Sequence, residues 1–236
     1  MKKIIGICRK YADGWIFFAA SVFLLLFAVI ELQTHLRLTA APPILLRLLL
    51  LLTVCALFFL GAHLHAGRTQ SNRIFRHLTL LFFALYLYLL LNVTLLEKGF
   101  GRDTLIGTDS DARAYYLQYF VNLRPFQSIW EVYVLGFLKG YVAPYYVLLN
   151  LLGNVCAMMP LSYLLPRLFP KQRRWYVFLP TVLLAVITVE LLQFIFMVGS
   201  CDVDDLILNA GGAILLYFLL RIPRLSRWID RLFPQV

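Results

Sequence analysis

Residues 175–198 read WYVFLPTVLLAVITVELLQFIFMV. Glu190 is the one residue of this run that can carry charge. Crossing about 30 Å of hydrocarbon takes about 20 apolar residues at roughly 1.5 Å each, so the run predicts a transmembrane helix. Runs at 15–32, 44–64, 78–96 and 144–165 come close to the same length. A shorter one at 206–220 spans if it tilts little or if the bilayer thins; a re-entrant segment is its other reading. The fold class expected is an all-α integral membrane protein with about six transmembrane helices. Composition agrees: 61% of residues are hydrophobic, 14% are charged and the mean hydropathy is +0.80, whereas soluble domains carry about a quarter charged residues.

The net charge of +10 would suggest nucleic acid in a soluble protein. Here the basic residues fall between apolar runs, so they read as membrane topology and no nucleic-acid partner is expected. With the N-terminus inside, the cytoplasmic segments hold Lys2, Lys3, Arg9 and Lys10, then Arg68, Arg73 and Arg76, then Arg167, Lys171, Arg173 and Arg174, then Arg221, Arg224, Arg227 and Arg231. These are fifteen of the 22 Lys and Arg, accompanied by Asp13 and Asp230. The positive-inside rule therefore orients both termini toward the cytoplasm. The basic start leading into the first run reads as a signal anchor, since the run is nearly twice a usual signal core; cleavage near Ala40-Ala41 is the lesser reading. Of the cysteines, Cys55 and Cys156 lie in apolar runs and act as small hydrophobes, while Cys201 has no evident disulfide partner.

Three regions follow: a two-helix N-terminal extension (1–74), a membrane core (75–220) and a basic cytoplasmic tail (221–236). One outer segment, 97–143, is long and carries the aromatic stretches Tyr115-Tyr116-Leu117-Gln118-Tyr119-Phe120 and Ile129-Trp130-Glu131-Val132-Tyr133. Tyr and Trp favour the headgroup level. The segment reads as interfacial helices on the outer leaflet or as a plain outer loop.

Ionisable groups within a span are costly and therefore informative. Glu190 and Gln193 share one helix face and lie roughly 12 and 8 Å below the outer end of their span. Asn150 and Asn154 lie roughly 9 and 15 Å into the preceding span, and Asn209 roughly 6 Å into the last. Asn92 is near the outer end of the third. All six therefore fall in the outer half of the bilayer. They are either interhelical packing amides around a paired glutamate or a polar pocket facing outward. Just above lies Cys201-Asp202-Val203-Asp204-Asp205. Asp204 or Asp205 would cap the following helix. The surplus of Asp202, Asp204 and Asp205 could hold a divalent cation, the one cofactor considered, or pair with Arg113 or Arg124. The small residues Ala210-Gly211-Gly212-Ala213 suit close packing on the fifth span, which would bring Asn209 near Gln193. The histidines, His35, His63, His65 and His77, lie away from this level. The absence of HExxH, GxSxG and Walker patterns disfavours zinc, serine-hydrolase and ATP chemistry.

Four segments resemble the VanZ-like family in order and spacing. They are Asn122-Leu123-Arg124-Pro125-Phe126; Asn150-Leu151-Leu152-Gly153-Asn154 with Met159-Pro160-Leu161; Glu190-Leu191-Leu192-Gln193; and Asp202-Val203-Asp204-Asp205-Leu206-Ile207-Leu208-Asn209 with Gly212. The resemblance covers about residues 75–220. It implies a multi-pass protein of the bacterial cytoplasmic membrane, in a family whose namesake is associated with low-level resistance to teicoplanin-type glycopeptides. The family pattern usually places an arginine a few residues before the acid corresponding to Asp202. That position is Val198 here, with Gly199-Ser200 following, so any such contact would have to come from elsewhere, for instance Arg113 or Arg124.

Three functions are compatible with these residues. The first is a non-enzymatic envelope protein whose ligand-binding set is Glu190, Gln193, Asn150, Asn154, Asn209, Asp202, Asp205 and Arg124. Its partners would be membrane lipids and a lipid-linked cell-wall precursor or an acylated glycopeptide. The second is a membrane enzyme with Glu190 as general acid or base, its pKa raised by burial, and a metal on Asp202, Asp204 and Asp205. The third is a small transporter, although the cytoplasmic halves of the spans carry few polar residues.

Overall fold

The computed structural model describes residues 12–35, 44–69, 73–96 and 110–232. The basic N-terminal tail, the Ala40-Ala41 step and the outer-loop residues 97–109 lie outside these. Helices are α1 (Ala12–His35), α2 (Ile44–Thr69) and α3 (Arg73–Leu91), the last running into a π turn at Asn92–Leu96. After α4 (Ser110–Tyr119) come a two-residue strand β1 (Val121–Asn122) and a short apolar helix, Ile129–Leu138, π-wound over Ile129–Leu135. Helices α5 (Pro144–Ala157), α6 (Met159–Leu168) and α7 (Trp175–Phe196) follow, then β2 (Cys201–Asp202), α8 (Val203–Leu219) and α9 (Pro223–Leu232). Five segments are long and apolar enough to cross a membrane, with α8 counting as a sixth only if α8 and α9 form one bent span. The chain is an all-α multi-pass membrane protein, relieved by one parallel β1–β2 rung.

Among the described residues the chain forms two compact units, 12–82 and 83–232. In the first, α1 and α2 pair along their length. Arg47 Nε and Nη2 donate to the two Glu31 carboxylate oxygens at 2.5 and 2.7 Å. Asp13 and His65 Nδ1 approach to 3.0 Å. Both acids are buried, and neither pairing was anticipated from the sequence. An apolar cavity of about 230 Å³ is lined by Phe17, Phe58, Ala62, Ile74, His77, Leu78 and Leu81.

In the second unit, α7 has two unlike faces. Phe178, Val182, Val186, Val189 and Gln193 are buried, at the four- and three-residue steps of a helical stripe. Leu184, Leu191 and Ile195 are turned outward and exposed, the arrangement expected of a helix that meets core on one side and lipid on the other. The core joins these residues to Met158, Leu161, Leu165, Ala213 and Tyr217, with Phe83, Tyr86 and Leu90 of α3 packed against it. The fourth apolar run is not one straight helix. It breaks at Met158, where Pro160 has no N–H to continue the ladder. Tyr86 Oη donates to the Ala157 carbonyl at 2.8 Å.

The small-residue run of α8 packs on the fifth span as the sequence suggested, with Ala213 buried among Val182, Val186 and Val189, and its Gly212 also meets α5. A Cβ built on Gly212 would stand 1.9 Å from the Val155 carbonyl oxygen, so the two backbones touch and only glycine fits. Ser162 Oγ of α6 donates to the Ala213 carbonyl at 2.6 Å on the next turn of that seam. At the opposite end from the acids, Tyr217 stacks on Phe178 at 3.9 Å, and Arg221 lies over the Tyr217 ring at 3.2 Å while Nη2 donates to the Arg173 carbonyl.

Candidate functional site

Helix α7 ends because Met197 adopts a left-handed conformation (φ +50°) and the Val198 N–H donates back to the Gln193 carbonyl at 2.9 Å. Gly199, at φ +69°, completes the reversal, and the chain enters β2 and then α8. The turn brings Asp202 beside Glu190: the Asp202 N–H donates to Glu190 Oε2 at 3.3 Å. Glu190 is 8% exposed and faces inward, not toward lipid.

The acids organise the outer loop. Strand β1 pairs with β2 through Val121–Cys201 and Asn122–Asp202. The Asp202 carboxylate accepts from Asn122 Nδ2 at 3.2 Å, from Ser128 Oγ, and from the Asp204 N–H at 2.9 Å. The last bond makes Asp202 the N-cap of α8; the sequence pointed to Asp204 or Asp205 for that role. Asp204 is fully buried. It accepts from the backbone N–H of Phe126 at 2.5 Å and of Ile129 at 3.0 Å, and so caps the loop helix from outside. Phe126 itself stands at φ +65°. Asn122 Oδ1 accepts from the Arg124 N–H at 3.0 Å, an Asx turn that closes the motif. Asn122, Ser128 and these two backbone amides were not named as site groups from the sequence. The Asn-Leu-Arg-Pro-Phe motif was the signal available for them.

The remaining amides divide. Asn154 Nδ2 donates to Asp205 Oδ1, joining α5 to α8. Asn209 Nδ2 donates to the Asp205 carbonyl at 2.7 Å, while its buried Oδ1 has no hydrogen-bond partner. Gln193 Nε2 reaches the Thr94 carbonyl at 3.1 Å, and Tyr116 Oη donates to the Gln193 carbonyl. Asn150 donates to Tyr146 O of its own helix and Asn92 to Tyr88 Oη. Arg124 and Arg113 have exposed side chains with no hydrogen bond to the acids. Ser128 and Asn122 occupy the Asp202 oxygens.

The three aspartates face separate donors, and among the described residues no group of three His, Cys, Asp or Glu is arranged to hold a metal ion. Burial and then the charges of Glu190, Asp202 and Asp205 push the Cys201 thiol up, and the thiol is free. Burial, followed by Asp205, Tyr146, Asp202 and Asp204, pushes the Tyr133 hydroxyl up as well, which places Tyr133 within electrostatic reach of the cluster and keeps it a neutral donor. The loop exposes Phe126, Trp130 and Tyr141, and the first turn of α5 exposes Tyr145 and Tyr146. The arrangement is a buried, acidic, hydrogen-bonded nest with exposed aromatic residues on the segments that carry it.

A family model described as VanZ/LLP1 matches residues 82–224. No curated protein and no solved structure matches the chain.

Proposed function

Since the chain belongs to the VanZ/LLP1 family, we propose that it is a non-enzymatic protein of the bacterial cytoplasmic membrane that binds an amphiphile at the outer leaflet. The ligand is an acylated, teicoplanin-type glycopeptide or a lipid-linked cell-wall precursor, and binding contributes to glycopeptide resistance. The observation that supports this reading is the acidic nest, carried on segments with exposed aromatic residues. Asp202 and Asp204 are held by neutral donors, and Asn209 Oδ1 is buried with an unused lone pair. Such a site favours a ligand head rich in N–H and O–H donors, and the exposed rings suit the headgroup level where an acyl chain enters. In this reading Glu190 sets the loop through the Asp202 amide and adds negative charge, Tyr133 donates, and Asp205 with Asn154 lines the α5 side.

The test is equilibrium binding of an acylated glycopeptide, its deacylated form and a lipid-linked precursor to the purified protein, wild type against Glu190→Ala. Affinity should fall at least tenfold in the variant, and the acyl chain should matter. Equal affinity in both proteins removes the nest from the function.

A further inference from the structure

Helix α9 follows α8 after a turn of 89°. If α8 runs along the bilayer normal, α9 lies in the plane of the surface, at the cytoplasmic end by the loop charges. Its sequence has the periodicity of an interfacial helix: Leu225, Trp228, Ile229 and Leu232 recur at the three- and four-residue steps of one face. At about 100° per residue, Arg224, Arg227 and Arg231 fall in a single arc beside that face. All three arginines are exposed, and Trp228, between the two arcs, is 57% exposed. The helix carries one acid, Asp230, which is neutralised by Arg167 Nη2 of α6 at 2.5 Å. Asp230 lies about 60° from Arg227, on the side of the arginine arc away from Trp228, so the bridge clamps that edge of α9 to Arg167 and removes the one acid that borders the arc. Arg227 Nε is bonded to a backbone carbonyl of its own helix, which fixes its stem and leaves its charge in place.

We propose that α9 is a docking surface for anionic phospholipid of the cytoplasmic leaflet, with Arg224, Arg227 and Arg231 at the headgroups and Trp228 at the acyl boundary. A merely topological role for these arginines requires charge on the inner side and nothing more. It does not require a surface-parallel helix with its acid removed, nor the arginines gathered beside an exposed indole. The proposal is independent of the ligand bound at the outer end.

The experiment uses the full chain in nanodiscs, with Trp15→Phe, Trp130→Phe and Trp175→Phe so that Trp228 is the fluorophore. Brominated phosphatidylglycerol should quench Trp228 more than brominated phosphatidylcholine at equal mole fraction. The preference should fall by about fivefold for each arginine changed to glutamine and vanish in high salt. Equal quenching by the two lipids, or quenching by neither, overturns the proposal. The unmodified chain provides a second measurement, which does not depend on the tryptophan variant folding. Trypsin cleavage after Arg224, Arg227 and Arg231 should be slower in discs containing phosphatidylglycerol than in pure phosphatidylcholine, and equal rates overturn the proposal.

Discussion

The two units handle buried acid in opposite ways. In the first, each buried carboxylate has a basic partner on the neighbouring helix: Glu31 meets Arg47 and Asp13 meets His65. In the second, Asp202 and Asp204 are held by Ser128 Oγ, Asn122 Nδ2 and three backbone N–H groups. A carboxylate opposite an arginine joins two helices and cancels charge. A carboxylate opposite a row of neutral donors shapes a loop without a countercharge. The first arrangement is a fastening between helices, the second a way to fold a loop around a cluster of acids.

That contrast is open to direct attack. The largest effect should come from Arg47→Met, which strands Glu31 and should cost about 3–5 kcal/mol in detergent unfolding. The double variant Glu31→Met/Arg47→Met should recover most of the loss, as expected of a pair whose members matter chiefly to each other. An unrecovered loss would mean that the first unit also uses its acid for something besides pairing. Next come matched glycines on two helix seams. Gly212→Ala drives a methyl into the Val155 carbonyl and should cost about 3 kcal/mol or more. Gly61→Ala meets the Phe17 ring at 2.8 Å, which can turn aside, and should cost under about 1 kcal/mol. Equal losses would show that the second unit's seam is as yielding as the first's.

Asp204→Ala strips the acceptor from the Phe126 and Ile129 amides and should cost about 2–3 kcal/mol, with faster proteolysis in the 121–138 loop. Asp204→Asn keeps one acceptor oxygen and should cost less. The smallest effect concerns Cys201, probed with Cys8, Cys55 and Cys156 replaced by serine. Its thiol titrates above the ordinary range, so at pH 8 the thiolate is scarcer than in a free cysteine and alkylation is slow. Glu190→Gln removes one of the charges that disfavour the thiolate, lowers the pKa and should speed alkylation about threefold. An unchanged rate would separate Glu190 from the acid cluster around Cys201.

The spans were readable because twenty-residue apolar runs have few alternatives, and the inward placement of Glu190 followed from its company on one helix face. What was not readable had a common cause: each feature depends on a partner far along the chain or on backbone geometry. The β1–β2 rung joins residues about 80 apart with two residues on each side, too short for any periodicity to show. Arg47 lies inside an apolar run and Glu31 at the end of another, and nothing local says that they meet. Asn150 and Asn154 share a face by spacing, yet only Asn154 reaches an acid, because Asn150 satisfies itself on Tyr146. That Gly212 also meets α5 could not be read, since a small-residue stripe fits any helix that offers a smooth backbone.

Phe126 holds a conformation that costs a non-glycine residue about 1 kcal/mol, and its amide is tied to the buried Asp204 oxygen. That strained residue is held in place by the whole set of bonds around it: the Ile129 amide on Asp204, Ser128 and Asn122 on Asp202, and the β1–β2 rung.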